Sequence, residues 1–287
     1  MEDVIKQLNT IHKIQLELAL EVKRVCNKYN IKYFLIAGTL LGAIRHKGFI
    51  PWDDDMDIGM LREDYEKFLK AWEKETSSKY FLQTWQTETQ YALPFAKLRL
   101  NGTQYIEQNI AHLNLHSGIF IDIFPFDNTP DNELLKVIHN IKTSLLKRML
   151  LVKLDYKFYG RSNKVKQCIY TCLALLVRLQ DRNKLREKLL REIIKYNNKD
   201  SEYIVNVGGS YSYKKETIKK EWIQSVELHK FEDVKFDIPQ KYAEYLIHFY
   251  GDYMTPPPVD KRYNRHNIIK IDLGGYEDEK SNHIRHI

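Results

Sequence analysis

The order of apolar patterns in this sequence predicts an α+β fold, a mixed-sheet core with a helical insertion. Three observations carry that reading. A short aromatic and β-branched run, Lys32 to Ala37, turns at Gly38-Thr39 into a helix-length segment and then into a second apolar run from Asp55 to Met60. Strand-length runs recur until Gly118 to Phe124, GIFIDIF, the strongest of them. From Glu133 to Asn198 the period changes to that of helices for about 65 residues. The chain therefore divides into a mixed-sheet core over 1–130, a helical subdomain over 131–200 and a third segment of short mixed elements over 201–287.

The elements follow in order. Ile5, Leu8, Ile11, Ile14, Leu18, Val22 and Val25 have helical spacing over residues 4–29, and Asn30 stops that helix. LLGAIRHK is a short helix, and the Pro-containing GFIPW is an extended link. Asp64 to Thr76 is a charged amphipathic helix. Strands are expected around Tyr80 to Trp85, Phe95 to Leu100 and Tyr105 to Glu107. Pro125 and the FDNTPDN stretch should end the GIFIDIF strand. The helical region breaks near Tyr159-Gly160-Arg161-Ser162 and near Asp181. Short mixed elements fill 204–238 with a Gly208-Gly209-Ser210 loop, and Gln240 to Tyr250 is a helix capped by Gly251.

A formal charge of +7 favours an anionic partner, although a Lys-rich solvated surface explains it equally well. Three cysteines, Cys26, Cys168 and Cys172, are too few for a disulfide framework, and no His or Cys cluster completes a zinc shell. A reducing, cytoplasmic compartment fits. The N-terminal stretch lacks the apolar core of a signal peptide. The run Ile169 to Leu179 is too short to span a bilayer. It reads as a buried helix, with a helix at a membrane surface as the alternative.

The chemistry concentrates in WDDDMDI. On a strand over Asp53 to Ile58, Asp53, Asp55 and Asp57 share one side, Asp54 takes the other, and Met56 and Ile58 point to the core. Carboxylates about 6.5–7 Å apart along one face converge on a divalent cation; without one they repel and are costly to desolvate. Hard oxygen donors select Mg²⁺ or Mn²⁺ over zinc. An acidic solvent-facing loop is the bland alternative, weakened by the apolar residues between the acids. Asp122, isolated in GIFIDIFPF, needs either a core ion pair or a place in the same metal site. Gly38-Thr39, ahead of a short helix, offers backbone N–H groups and a hydroxyl to a phosphate.

GTLLGAIRHKGFIPWDDDMDI resembles the signature of the LicD family of phosphocholine transferases. GIFIDIFPFD is similar to that family's second motif, FAKLR to a third, and YGDYMTPPP followed by KRYNRH to its last. The likeness runs from about residue 30 to residue 266 and is weakest through the helical middle. It implies a nucleotidyltransferase-like fold related to the fukutin-type sugar-phosphate transferases, without the cysteine cluster that some of those carry. It also implies a reaction: phosphocholine passes from CDP-choline to a sugar hydroxyl of a bacterial surface-glycan precursor, a teichoic acid or lipopolysaccharide unit, and CMP leaves.

On that reading Asp55 and Asp57 hold the metal and Asp53 supports them. Asp122 is a further ligand or the general base. Gly38 and Thr39 cradle a phosphate, and Arg45, Lys47, Lys97 and Arg99 balance the remaining phosphate charge. Lys261, Arg262 and His266 close over the donor. A quaternary ammonium asks for an aromatic cage, with Trp52, Trp85, Trp222 and the tyrosines as candidates. The same fold moving phosphoethanolamine, ribitol phosphate or a nucleotide is the alternative. A lipid-linked glycan acceptor would bring the protein to the inner face of the cytoplasmic membrane, with the basic helices between Lys142 and Lys195 docking there. A nucleic-acid-binding module would explain the charge but not carboxylates embedded in two apolar strands, so no nucleic-acid partner is expected.

Overall fold

The GIFIDIF signal becomes the centre of the sheet. The structure, a computed structural model, describes residues 2–75, 77–157, 174–175, 177–262 and 267–277. The first helix, α1 (Glu2–Lys28), lays Ile11, Ile14, Leu18, Val22 and Val25 into the main core. The following strand is only Phe34–Leu35 (β1), and the next helix, α2 (Ala37–Arg45), starts a residue before Gly38. Then come β2 (Asp57–Leu61), α3 (Arg62–Trp72), β3 (Tyr80–Gln83), β4 (Ala96–Leu100), β5 (Gln104–Glu107) and β6 (Phe120–Asn128).

Two helices of the middle region are described, α4 (Glu133–Lys153) and α5 (Arg182–Ile193). Asp181 caps α5 by accepting the Asn183 and Lys184 N–H groups, which accounts for the break expected there. The break expected at Tyr159–Ser162 lies outside the described residues, as do Cys168, Cys172 and most of the 169–179 run. The rest of the chain adds β7 (Tyr203–Val205), α6 (Tyr213–Glu216), β8 (Thr217–Lys219), β9 (Val226–Phe231), β10 (Val234–Pro239), α7 (Tyr242–Tyr250) and β11 (Ile268–Asp272). Gly251 ends α7 at φ 66°, a left-handed value that glycine adopts without strain.

The main sheet runs β1-β2-β6-β4-β3, with β7 and β8 continuing beside the far end of β6. β2 and β6 are parallel; the other pairs are antiparallel. This is the expected α+β architecture with a mixed sheet. One boundary differs: Pro125 does not end β6, which continues to Asn128. The Asp122 N–H goes to Met56 on the β2 side, so by alternation the Pro125 nitrogen faces the opposite edge. There β4 pairs only as far as Ile123 and β7 begins at Asp127, so the missing N–H falls in a gap between partners. A second core, built from Leu150, Leu154, Leu185, Leu189 and Ile193 with Val205 and Val207, joins α4 and α5 to the sheet.

Candidate active site

Register brings the acids together. Asp57 and Asp122 are direct partners across the parallel β2–β6 pair, on strands that run about 4.8 Å apart, and both are buried. On the other side of β6, Lys97 is the partner of Asp122 and donates to its carboxylate at 2.7 Å. Two carboxylates therefore share one ammonium in an apolar setting. Burial raises the proton affinity of Asp57 well above the ordinary carboxylate range, with Asp55, Asp122 and Asp53 adding to it. Burial raises Asp122 as well, against the opposing pull of Lys97.

The stretch before Asp57 is not a strand. β2 begins at Asp57, so the alternation expected over Asp53 to Ile58 does not extend back through Asp53, Asp54 and Asp55. Those three instead gather one carboxylate oxygen each within 4.8 Å of one another. Asp54, expected on the opposite side, belongs to this trio while being buried and accepting the Tyr105 hydroxyl. The irregular backbone is held by two side chains of α1: Gln15 donates to the Asp54 carbonyl and His12 to the Asp53 carbonyl, both at 2.7 Å.

Gly38 and Thr39 lie in the first turn of α2 rather than in a turn before it, and their partners are protein groups. The Thr39 hydroxyl accepts the Asp57 N–H at 2.8 Å. A Cβ on Gly38 would stand 2.5 Å from Asp53 Oδ2, so glycine is what lets that carboxylate approach the helix N-terminus. What these two residues visibly do is place the acids: the Thr39 hydroxyl holds the Asp57 backbone, and Gly38 leaves room for Asp53.

The expected cations separate into three groups. Lys97 is spent on Asp122, and the buried Arg99 donates to Gln83 and to the Gly118 carbonyl, both at 2.7 Å, so neither is a loose counter-charge for phosphate. Lys47 and Lys261 are exposed; Lys47 occupies a left-handed turn (φ 62°) whose carbonyl accepts the Glu232 N–H. Arg45 and Arg262, more than two hundred positions apart in the chain, do converge. Arg45 donates to the Tyr253 carbonyl at 2.9 Å, and burial together with the Arg262 cation lowers its proton affinity. The Arg262 guanidinium lies 5.1 Å from the centre of the Trp52 ring, next in sequence to Asp53. Among the described residues neither arginine has a carboxylate partner. His266 lies outside the described residues.

Several groups that border the site carry no sequence signal of their own. Tyr245 accepts the Ala37 N–H, and Tyr250 has its ionisation driven up by burial, by Tyr211 and Tyr245, and by the charges of Asp57 and Asp53. Glu216 is buried with its carboxylate against Gly209, where a Cβ would come within 2.2 Å of it. It accepts the Tyr211 N–H at 2.9 Å, and burial raises its pKa to about 7. Gly208 of the same loop packs on Phe95 and Phe124, the latter two residues from Asp122. A cavity of about 190 Å³ beside Lys97 is lined also by Gln83, Tyr91, Glu107 and Asn109. Of the tryptophans proposed for a cage, Trp52 stands at the acidic stretch, Trp85 packs against the α4–α5 core and Trp222 against His248 of α7. The tyrosines and Glu216 could have been found only from long-range packing: Tyr245 of α7 meets the start of α2, and the 206–211 loop packs on Phe95 and Phe124.

Paired carboxylates on adjacent central strands, approached by a helix N-terminus, are the frame of a nucleotidyltransferase-like group-transfer enzyme. Residues 30–165 match the LicD/FKTN/FKRP nucleotidyltransferase domain. Over 250 residues, 84% of this chain and 89% of the relative, the sequence is 33% identical to the lipopolysaccharide cholinephosphotransferase LicD of Haemophilus influenzae. The chain belongs to the LicD family. Shorter likenesses cover 48 residues, 17% of this chain in each case. One is 52% identical to an uncharacterised protein of Rickettsia prowazekii, covering 18% of it; the other is 46% identical to the human ribitol 5-phosphate transferase FKRP, covering 10% of it.

Proposed function

We propose that this protein is a metal-dependent transferase that moves phosphocholine from CDP-choline to a sugar hydroxyl of a surface-glycan precursor, a lipopolysaccharide or teichoic acid unit. The observation that carries the reading is the register of Asp57 with Asp122: two buried carboxylates meet on adjacent strands of an apolar sheet, and among the described residues the cation hydrogen-bonded there is the Lys97 ammonium. An all-oxygen donor set of that kind fits a hard divalent cation, Mg²⁺ or Mn²⁺, held by Asp57 and Asp55 with Asp122 beside them. When bound, such a cation neutralises charge on the donor phosphates.

The chain's own groups have separate tasks. Asp53, set against the α2 N-terminus, supports the ligand set. Asp122, its carboxylate oriented by Lys97 and its proton affinity raised by burial, takes the proton from the sugar hydroxyl as that oxygen attacks the phosphorus of phosphocholine. The bond from that phosphorus to the CMP oxygen breaks, and CMP departs with the electron pair. Arg45 and Arg262 offer the donor phosphates a pair of cations free of carboxylate partners among the described residues. The cavity beside Lys97, with Glu107 and Asn109 in its wall, offers hydrogen-bonding groups of the kind a sugar uses.

The test is titration of CDP-choline, CDP-ethanolamine and CDP-ribitol with and without Mg²⁺, followed by assay of CMP release. Tightest binding of CDP-choline that depends on Mg²⁺, with phosphocholine appearing on the glycan, is the expected outcome. Pyrophosphate release from a nucleoside triphosphate would sink the reading. Preference for CDP-ribitol would move the assignment to ribitol phosphate transfer, the second reading, favoured by the 48-residue likeness to FKRP.

A further inference from the structure

The helix α4 is built inside out. Its buried side is partly polar: His139 donates to the Glu192 carbonyl, and Thr143 to the carbonyl one turn earlier. Its outward side carries Leu134, Val137, Ile138, Ile141 and Leu145, whose i, i+3, i+4, i+7 and i+11 spacing makes one continuous stripe. Leu134 is 69% exposed, Ile141 60% and Leu145 48%. Lys142 and Arg148, both exposed, flank the stripe. At the far end of the helix Lys153 donates to the Arg178 carbonyl, which brings in Leu179, 95% exposed. A contiguous apolar patch rimmed by cations is not what a freely dissolved helix presents.

Charge narrows what covers it. Residues 131–200 hold seventeen Lys and Arg against seven Asp and Glu, a net of +10, while the whole chain is +7; the remainder is therefore net negative. The exposed side of α5, which packs on α4, repeats the sign with Lys184, Lys188 and Arg191 at i, i+4 and i+7. A second copy of this chain would bring like charge onto like charge. An apolar stripe between basic rows instead suits a surface with an apolar interior and an anionic face. Among the described residues no helix is long and apolar enough to cross a membrane, so the contact is one of lying on the bilayer.

We propose that the outward face of α4 docks this protein on an anionic phospholipid bilayer. The inference rests on the reading above, in which the acceptor is a surface-glycan precursor, takes that precursor to be carried on lipid, and adds the surface by which the enzyme meets it. The contact is made by the apolar stripe and its cations together, not by the basic helices alone. It is also close to the chemistry. On its inner side α4 sends Lys147 to the Val207 carbonyl at 2.7 Å, next to the Gly208 that packs on Phe95 and Phe124. The helix that meets the bilayer thus holds the loop that packs on Phe124, two residues from Asp122.

Flotation of the full-length protein tests this, with vesicles of phosphatidylcholine alone and of phosphatidylcholine with one quarter phosphatidylglycerol. Partition onto the anionic vesicles at least tenfold above the neutral ones, weakened by 0.5 M salt, is expected. Ile141→Glu with Leu145→Glu should cut that partition at least tenfold and leave the melting temperature and Mg²⁺-dependent CDP-choline binding unchanged. Lys142→Glu with Arg148→Glu should erase the preference for anionic over neutral vesicles. Equal flotation of wild type and the Ile141/Leu145 variant overturns the proposal. So does a wild type that ignores vesicles, whether because light scattering shows a dimer that the same variant makes monomeric or because a protein partner covers the face. If CDP-choline fails to bind while flotation and its loss in the variant persist, the donor assignment falls and the docking surface stands.

Discussion

The strand β6 carries two buried aspartates five positions apart, and their surroundings are opposite. Asp127 is closed: Arg62 donates to both of its oxygens at 2.8 and 2.7 Å, and Asn197 adds a bond at 2.7 Å. Asp122 takes a hydrogen bond from Lys97, whose charge acts also on the neighbouring Asp57, with Arg99 a weaker influence. One carboxylate is balanced within the protein and fastens α3 to the sheet. The other shares its ammonium with a second buried acid, and that is the charge balance on which the proposed metal site rests. The difference gives a physical basis for proposing one buried acid as structural and the other as functional.

Substitution should separate them in two different measurements. Asp122→Asn is expected to lower CMP release about 10²–10⁴-fold, the range for loss of a general base or ligand, with stability changed by less than about 1 kcal/mol because Lys97 keeps the Asp57 carboxylate as a counter-charge. Asp127→Asn should leave the activity of the folded fraction within about twofold and cost about 3 kcal/mol in urea unfolding, since among the described residues the largely buried Arg62 keeps only the half-exposed Glu66 as a carboxylate partner. An unfolded Asp122→Asn, or an Asp127→Asn as stable as wild type, would erase the distinction.

The sequence shows half of this contrast. GIFIDIFPFDN displays both acids in an apolar run, and Asp122 is singled out by its isolation. Nothing local tells it from Asp127, because the arginine that closes Asp127 comes from the start of α3, 65 positions away. The alternation argument fails at Asp53–Asp55 for a related reason. His12 and Gln15, on a helix some forty residues earlier, bend that stretch by taking its carbonyls. Pro125 misleads as a terminator because only the sheet shows the gap its nitrogen faces. Long amphipathic segments and the existence of strands are legible from period alone; which charges meet is set by pairings across the chain.

Glu216 falls between the two aspartates and sharpens the scale. It has a backbone donor from Tyr211, but the nearby Lys147 ammonium is committed to the Val207 carbonyl. Burial lifts its pKa from 4.5 to about 7, so the folded state binds more protons than the unfolded state between those values. Stability from this group is therefore full below about pH 4.5 and declines as pH rises toward 7, by about 3 kcal/mol in all. Glu216→Gln cannot titrate. Relative to wild type it should gain about 2–3 kcal/mol between pH 5 and pH 8 in urea unfolding. Parallel curves across that range would place Glu216 with Asp127 as a fully balanced acid.

Cation binding measures that charge balance itself. Mg²⁺ at ten times its Kd should stabilise the wild type by about 1.4 kcal/mol in a thermal shift, and Asp57→Asn should abolish that gain. Neither magnesium nor manganese having an effect on the wild type would mean that Lys97 suffices for both carboxylates.

Gly38→Ala asks the smallest question, whether placement of one supporting acid matters once the charges are in place. The new methyl would meet Asp53 Oδ2 at 2.5 Å, and that oxygen sits at the end of a side chain able to swing away. Alanine also suits the first turn of α2 better than glycine does, by up to about 1 kcal/mol. The two effects oppose each other in stability, so the melting temperature should move by no more than a few degrees. They do not oppose each other in activity. A displaced Asp53 no longer faces the helix N-terminus or the carboxylates of Asp54 and Asp55, and CMP release should fall about tenfold, equivalent to about 1.4 kcal/mol of barrier. Full activity in Gly38→Ala would assign Asp53 to the balanced, structural side of the comparison and leave Asp55, Asp57 and Asp122 as the working set.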